Sequence, residues 1–240
     1  MSARLSRLLL ALGLCAFPLA LEGARAQDAV VPVPRTYGEA MDWYREAAQA
    51  GDPKAMFYLG LTLEQGLRPG GNPRDAMSWY RQSADKGFPL AQFKLGQLYQ
   101  FGQIVDQDPR QARTWYEKAA AAGLADAQYN LAVMLETGDG GEADGDRAMA
   151  LYNAAAEGGI PEAFLNLAGL LAQGELVEQD LTEALKWLIL AERSGLGQGH
   201  AMAGAVRQLL NPVEIADAEA RADRWIREKG SRVSSPDSPN

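Results

Sequence analysis

Cysteine and histidine are nearly absent from this sequence, which contains one of each among 240 residues. Cys15 lies in an apolar run at 8–21, so the chain after that run has no disulfide, no thiolate nucleophile and no cysteine metal ligand. His200 alone cannot supply the three protein ligands of a typical zinc site. The sequence also contains no nucleophile motif and no phosphate-binding loop. We therefore expect no metal centre, no cofactor and no catalytic site.

Long apolar runs are also missing after the first 26 residues. Arg4 and Arg7 precede the run at 8–21, and an Ala-x-Ala motif ends at Ala26. This pattern predicts a secretory signal peptide at 1–26, cleaved after Ala26. The run is shorter than the roughly 20 apolar residues of a membrane span. We expect a periplasmic or secreted protein with no membrane span after cleavage.

Basic residues are fewer than acidic ones, 23 against 31, which gives a net charge of −8. Such a surface repels phosphate backbones, so nucleic acid is not expected as a partner and a basic protein or peptide is favoured. The loop at 138–146 concentrates Asp139, Glu142, Asp144 and Asp146. Carboxylate oxygens suit calcium, but the spacing does not fit an EF-hand. A solvated variable loop is the preferred interpretation, and calcium binding is the alternative.

A period of 36 residues runs through the sequence without a gap. The stretch NPRDAMSWYRQSADKG at 72–87 returns as DPRQARTWYEKAAAAG at 108–123. Glycine recurs in the same step at 51, 87, 123, 159 and 195. The residues that define the repeat motif are Trp43, Trp79, Trp115 and Trp187, then Tyr80, Tyr116 and Tyr152, and finally Gly60 and Gly96.

Each unit is predicted to contain two helices. Asp108 and Asp180 are good N-cap residues, and Gln111 and Glu183 follow them at the spacing of a capping box. The periodic glycines end the same helices, and the aromatic and small residues between form a helical apolar stripe. One helix pair cannot bury this stripe alone, so the pairs must stack into a solenoid. We interpret the Trp-Tyr pairs as inter-helix packing, with aromatic ligand binding as the alternative.

The pattern A-x-x-x-L-G-x-x-Y/L-x-x-G, a loop, and then A-x-x-W-Y-x-x-A-A-x-x-G resembles the Sel1-like repeat family, which is related to tetratricopeptide repeats. The resemblance covers about 36–210 and implies an all-α fold, a right-handed α-solenoid of antiparallel helix pairs. The expected segments are the signal peptide, a Pro-rich linker at 27–35, a repeat array at 36–229 and a disordered tail at 230–240. Within the array we expect an opening helix at 36–50, repeats at 55–87, 91–123, 127–159 and 163–195, and a degenerate repeat with a capping helix at 199–229. A capping box at Asn211 and Glu214 is predicted to open a long polar helix that reaches about 228.

The resemblance implies a non-catalytic scaffold or adaptor of the periplasm that binds a peptide or protein partner on a concave face lined by the first helices. Signalling or envelope assembly are the roles it implies. The candidate partner-binding residues are Phe57, Leu61, Glu64, Phe93, Gln97, Gln100, Tyr129, Val133 and Glu136. For the three aromatic members, packing against the next helix pair is the preferred interpretation. Two alternatives are a cell-wall or β-lactam hydrolase and a self-associating structural module, and the oligomeric state stays open. Relatives linked to β-lactams are cysteine-rich, unlike this chain.

Overall fold

The computed structural model describes residues 37–65 and 73–233, which form eleven α-helices and no strand. The predicted signal peptide, the linker and the last seven residues of the predicted tail lie outside the described residues. In chain order the helices are α1 (Tyr37–Gln49), α2 (Pro53–Glu64), α3 (Pro73–Asp85), α4 (Pro89–Phe101), α5 (Pro109–Ala121), α6 (Ala125–Thr137), α7 (Gly145–Glu157), α8 (Glu162–Gln173), α9 (Leu181–Arg193), α10 (Gly197–Arg207) and α11 (Pro212–Val233). Among these helices, none has the length and apolar character needed to cross a membrane.

The helices form hairpins that stack in sequence order. Helices α2 and α3, α4 and α5, α6 and α7, and α8 and α9 pair within hairpins, and each hairpin contacts the next through its second helix. This confirms the predicted all-α solenoid. The first helices begin earlier than predicted, at Pro53 and Pro89 rather than at 55 and 91. The reason is that proline suits the first helical turn, where its missing N–H has no intrahelical partner to lose.

Aspartate caps begin the second helices, as predicted. The Asp108 carboxylate accepts from the backbone N–H of Gln111 at 3.1 Å, and Asp180 accepts from that of Glu183 at 2.8 Å. The return half of the predicted capping box is wrong. The backbone N–H of Asp108 donates instead to the carbonyl of Tyr99 at 2.8 Å, and Asp144 and Asp180 bond in the same way to Leu135 and Leu171. A backbone bond to the last turn of the first helix therefore satisfies the donor that the side chain was expected to serve.

Left-handed glycines end the second helices. Gly87, Gly123, Gly159 and Gly195 have φ values of 85°, 84°, 92° and 84°. An ideal Cβ on any of the four would have no neighbouring atom within 4 Å. The requirement for glycine is therefore one of backbone conformation and not of space.

The tyrosines at this repeat position in the hairpins are core residues, whereas Tyr44 on α1 is half-buried and the tryptophans vary. Tyr80, Tyr116 and Tyr152 are fully buried. Trp115 is 6% exposed and Trp187 is 3% exposed, but Trp43 on α1 is 43% exposed. Packing therefore explains the later tryptophans and does not explain Trp43. Within the described residues, no helix pair precedes α1 to cover that side chain.

A long C-terminal helix covers the end of the array. Trp225 on α11 contacts Phe164 and Trp187, with ring centroids 5.4 and 6.2 Å away. The predicted capping box is formed, since Asn211 N–H donates to Glu214 at 2.8 Å and Glu214 N–H donates to the Asn211 side chain at 3.1 Å. The helix continues to Val233, so the predicted tail boundary at 230 is wrong. Lys229 donates to the carbonyl of Glu157 and ties this last part of the helix to the array.

Candidate functional site

Three buried tyrosines hold the second helices against the first helices. The hydroxyls of Tyr80, Tyr116 and Tyr152 donate to Glu64 at 2.5 Å, to Gln100 at 2.7 Å and to Glu136 at 2.5 Å. Burial raises the pKa of all three phenols, so they stay neutral and act as donors. Three of the predicted partner-binding side chains, the acceptors, therefore also belong to the framework of the repeat.

Two glycines make room for these rings. A Cβ added to Gly60 would lie 2.7 Å from the ring of Tyr80, and one added to Gly96 would lie 2.5 Å from the ring of Tyr116. Glycine at both positions allows a helix to approach closely. The approaching helix is the second helix of the same hairpin, and its tyrosine ring occupies the space.

The recurring aromatics of the first helices pack inside their own hairpins. The ring of Phe57 is 5.8 Å from that of Tyr80, Phe93 is 5.7 Å from Tyr116, and Tyr129 is 5.8 Å from Tyr152. Phe57 is 8% exposed, and the other two aromatics are half-buried. Packing was the preferred interpretation, but the partner differs from the expected one, because the contact lies within a hairpin. Phe57 also reaches the start of the next hairpin, at Phe88, with a centroid distance of 5.5 Å, and Tyr129 interacts with Asn166 and Glu162 of its next hairpin.

The accessible positions of the first helices form a stripe that we call the first-helix face. It contains the half-buried candidates Leu61, Gln97 and Val133, the residues at 58, 94, 130 and 166, and the residues at 65, 101, 137 and 173. Phe101 is 61% exposed on this face. The fourth repeat has Gly169 where the first three carry Leu61, Gln97 and Val133, and an ideal Cβ on Gly169 meets no atom within 4 Å. The face is therefore most open at the fourth repeat.

Each hairpin meets the first helix of the next at a place that we call a junction. At junction 1, where α2 and α3 meet α4, Lys94 Nζ lies 2.8 Å from Glu64 Oε1, and both side chains are 20% exposed. The same ammonium lies 5.8 Å from the centroid of Tyr80. Glu64 therefore accepts from a phenol of its own hairpin and from a cation of the next hairpin.

Junction 2, where α4 and α5 meet α6, and junction 3, where α6 and α7 meet α8, have asparagine in place of this lysine. At junction 2, Asn130 donates to the carbonyl of Asp126 at 2.7 Å, and the tyrosine acceptor is the neutral Gln100. At junction 3, Asn166 donates to the hydroxyl of Tyr152 at 2.8 Å. Among the described residues, no basic side chain forms an ion pair with Glu136. Sequence reasoning missed the second partners Lys94 and Asn166, which lie one position after Phe93 and Leu165.

The remaining chemistry-bearing residues do not assemble into a catalytic or metal site in the described part of the chain. The His200 side chain is 86% exposed, and its Nδ1 lies 2.9 Å from Glu192. No group of three or more potential metal ligands comes together within the described ranges. In the acidic loop at 138–146, Asp144 caps α7 and the carbonyl of Glu142 accepts from Arg113 at 3.0 Å. This loop therefore packs on the preceding repeat.

An open pocket of about 570 Å³ lies between the loop before α9 and the turn that joins α10 to α11. Its lining includes Leu171, Asp180, Leu209 and Glu214. Asp180 and Glu214 already bind helix N-termini as caps. Helix capping therefore explains two of the three acids of this pocket, and the third, Glu178, is exposed.

Comparison with known proteins agrees with this architecture. The family model described as Sel1 repeat matches five consecutive blocks, at 31–52, 53–88, 89–124, 125–160 and 161–196. The chain belongs to the Sel1-repeat family. Proteins built from Sel1 repeats generally mediate protein–protein interactions, and their fold is typically a non-catalytic scaffold. A comparison of this Sel1-repeat protein with curated proteins gave no match.

Two solved bacterial structures are similar to this Sel1-repeat protein. The Sel1 repeat protein from Oxalobacter formigenes is 28% identical with a TM-score of 0.66, and the match covers 70% of this chain and 69% of that chain. The protein c5321, a protective antigen present in uropathogenic Escherichia coli strains that displays an SLR fold, is 25% identical with a TM-score of 0.50. That match covers 87% of this chain and 53% of the other. Both neighbours are bacterial proteins, and both support the repeat fold.

Proposed function

We propose that this Sel1-repeat protein is a non-catalytic scaffold that binds a peptide or protein partner on its first-helix face. The observation that carries the proposal is the contrast between constant and varied positions in successive repeats. The buried positions keep one residue type, as in Tyr80, Tyr116 and Tyr152. The accessible positions of the first-helix face change from repeat to repeat, as in Leu61 and Gln97. Packing explains constancy, whereas a varied surface on a rigid array suits recognition of one particular partner.

The chemistry of this face also suits a partner. Phe101 is 61% exposed, and large aromatic side chains are frequent anchors of binding energy in interfaces. The net charge of −8 favours a basic partner through electrostatic steering. The arginines and apolar run before Ala26 support export, so we place the protein in the periplasm. Regulation of signalling or envelope assembly is the role that we propose there.

The test compares variants that alter the face with variants that alter exposed apolar residues elsewhere. The tagged full-length protein is expressed in a bacterial host, cross-linked, and its bound proteins are identified. Q97S/F101S changes the first-helix face, whereas L209S/V213S changes Leu209 and Val213, which are 70% and 78% exposed at the C-terminal turn. All proteins are first shown to have the same helicity and melting temperature.

We expect a specific partner to be captured by the wild type and by L209S/V213S and to be lost by about ten-fold or more in Q97S/F101S. Capture that survives Q97S/F101S but depends on Leu209 and Val213 would move the binding surface to the C-terminal turn. The proposal also fails if no protein is enriched over a tag-only control.

A further inference from the structure

We propose that junction 3 binds a lysine or arginine side chain of the partner, with the carboxylate of Glu136 accepting the cation as Glu64 accepts Lys94 at junction 1. This inference rests on the proposed function and specifies the chemistry of the partner. It follows from comparing equivalent positions within one chain.

Junction 1 is a complete internal example of the proposed complex. Glu64 accepts from Tyr80 at 2.5 Å and from Lys94 Nζ at 2.8 Å. The ammonium also lies 5.8 Å from the centroid of the Tyr80 ring, within the range of a cation–π contact. A half-buried carboxylate and a buried phenol on one hairpin thus bind a lysine that reaches them from another element.

Junction 3 keeps the anionic half of this arrangement and lacks the cationic half. Tyr152 donates to Glu136 at 2.5 Å, as Tyr80 does to Glu64. The position of Lys94 is taken by Asn166, which donates to the Tyr152 hydroxyl at 2.8 Å. No cation of the described residues pairs with Glu136. A half-buried carboxylate is stabilised strongly by a charge-assisted hydrogen bond, so it favours an external cation.

Junction 2 shows that the charge at junction 3 is not a requirement of the fold. There the acceptor of the tyrosine is Gln100, and the neighbouring residue is Asn130, so both are neutral. The chain therefore uses a charged pair at junction 1 and a neutral pair at junction 2. Only junction 3, among these three, combines a carboxylate with an uncharged neighbour.

The surroundings of junction 3 leave room for a long side chain and carry further negative charge. Gly169, three residues after Asn166, has no atom within 4 Å of an ideal Cβ. The pKa of Tyr129 is raised by burial and then by the Glu162 carboxylate, is lowered in part by a hydrogen bond with Asn166, and is raised least by Glu136. Two carboxylates therefore act on the Tyr129 ring, and a negative field of this kind favours a cation.

The test uses small probes that carry one side chain each. The isotope-labelled full-length protein is titrated with Nα-acetyl-lysinamide, Nα-acetyl-argininamide and, as an uncharged control, Nα-acetyl-norleucinamide. NMR shifts are followed at the Asn166 side-chain amide and the Gly169 backbone amide. We expect saturable shifts with a dissociation constant of about 1–10 mM for one or both cationic probes and none for norleucinamide. Equal shifts with the uncharged probe, or no shift with either cation, would overturn the proposal.

Three variants use the internal comparison as controls. N166K places at junction 3 the residue found at junction 1 and should fill the site, which weakens probe binding about ten-fold or more. N130K makes the same change beside neutral Gln100 and should leave binding at junction 3 unchanged. K94N should vacate junction 1 and create a second set of shifting signals there. Unchanged probe binding in N166K, with helicity and melting temperature retained, would contradict the proposed site.

The captured partner separates this inference from the proposed function. If partner binding is lost in Q97S/F101S but unchanged in E136Q and N166K, the first-helix face binds its partner without a cation at junction 3. In that case the scaffold proposal stands and the cation proposal fails. If the cationic probes bind at junction 3 while the partner binds elsewhere, the proposed first-helix face and the assignment of the cation to the partner both fail.

Discussion

The unequal hydrogen bonding of the buried tyrosines gives a prediction that a matched pair of variants can test. Y152F removes a hydroxyl that donates to the Glu136 carboxylate at 2.5 Å and accepts from Asn166 at 2.8 Å. Y116F removes a hydroxyl that donates only to the neutral Gln100, at 2.7 Å. Both side chains are fully buried, and neither change adds volume. The two variants therefore differ mainly in the hydrogen bonds that they lose.

The expected costs follow from those partners. A hydrogen bond to a charged group contributes about 1.5–3 kcal/mol and a neutral one about 0.5–1.5 kcal/mol. Glu136 is half-buried, so water replaces part of what Tyr152 provides. We expect Y152F to lower the free energy of unfolding by about 2–3 kcal/mol and Y116F by about 1 kcal/mol.

The assay is urea unfolding followed by circular dichroism, with hydrogen exchange to show which hairpin opens. Repeat arrays can open locally, so exchange in α7 should rise in Y152F and exchange in α5 should rise less in Y116F. Equal losses in the two variants would refute the reasoning, because they would mean that the charge of the acceptor does not matter. A smaller loss in Y152F would refute it more directly.

Three further predictions concern glycine, helix caps and pH. G96A places a Cβ 2.5 Å from the ring of Tyr116, and this clash should outweigh the gain of roughly 1 kcal/mol in helix propensity and give a net loss of stability of about 1–3 kcal/mol. G169A places its Cβ in open space and should stabilise the protein by about 1 kcal/mol. Equal melting temperatures of the two variants would contradict this prediction. D108A removes a helix cap and should cost about 1 kcal/mol, while D106A, at an exposed residue two positions earlier, should change urea stability by less than about 0.5 kcal/mol. Burial raises the pKa of the three core tyrosines, so their contribution to stability is complete below about pH 10 and is lost as pH rises above it, by up to about 1.4 kcal/mol per pH unit for each phenol. Urea midpoints measured together with tyrosinate absorbance test whether stability falls above pH 10. The prediction is wrong if the core tyrosines ionise near pH 10 while the protein stays folded.

The fold could be predicted from the sequence because every hairpin solves the same burial problem. Identical spacing of a cap, an aromatic pair and a glycine fixes the ends and the buried side of each helix without any knowledge of distant contacts. The errors occur where a residue has a second partner. The return half of the capping box at Asp108 was predicted from local spacing, but the donor bonds to Tyr99 on the preceding helix. Such tertiary competition is not visible in a local pattern.

The candidate site was harder to predict because position on a helix does not reveal which neighbour a side chain meets. The sequence indicates Glu64 and Glu136 as candidate partner-binding residues, and the structure gives both a buried phenol as partner. The difference between them depends on Lys94 and Asn166, which are 30 residues further along the chain. A comparison of residues at that separation becomes meaningful only when the stacking of the hairpins is known.

The left-handed glycines at the ends of the second helices have a consequence for how such a chain can evolve. Their role depends on the backbone angle and not on the surrounding atoms, since no atom lies within 4 Å of an ideal Cβ at Gly87, Gly123, Gly159 or Gly195. A duplicated segment of 36 residues would therefore bring its own helix stop into any position of the array. Gene duplication can lengthen or shorten the protein in whole repeats, and selection is then free to act on the few accessible residues of each new first helix.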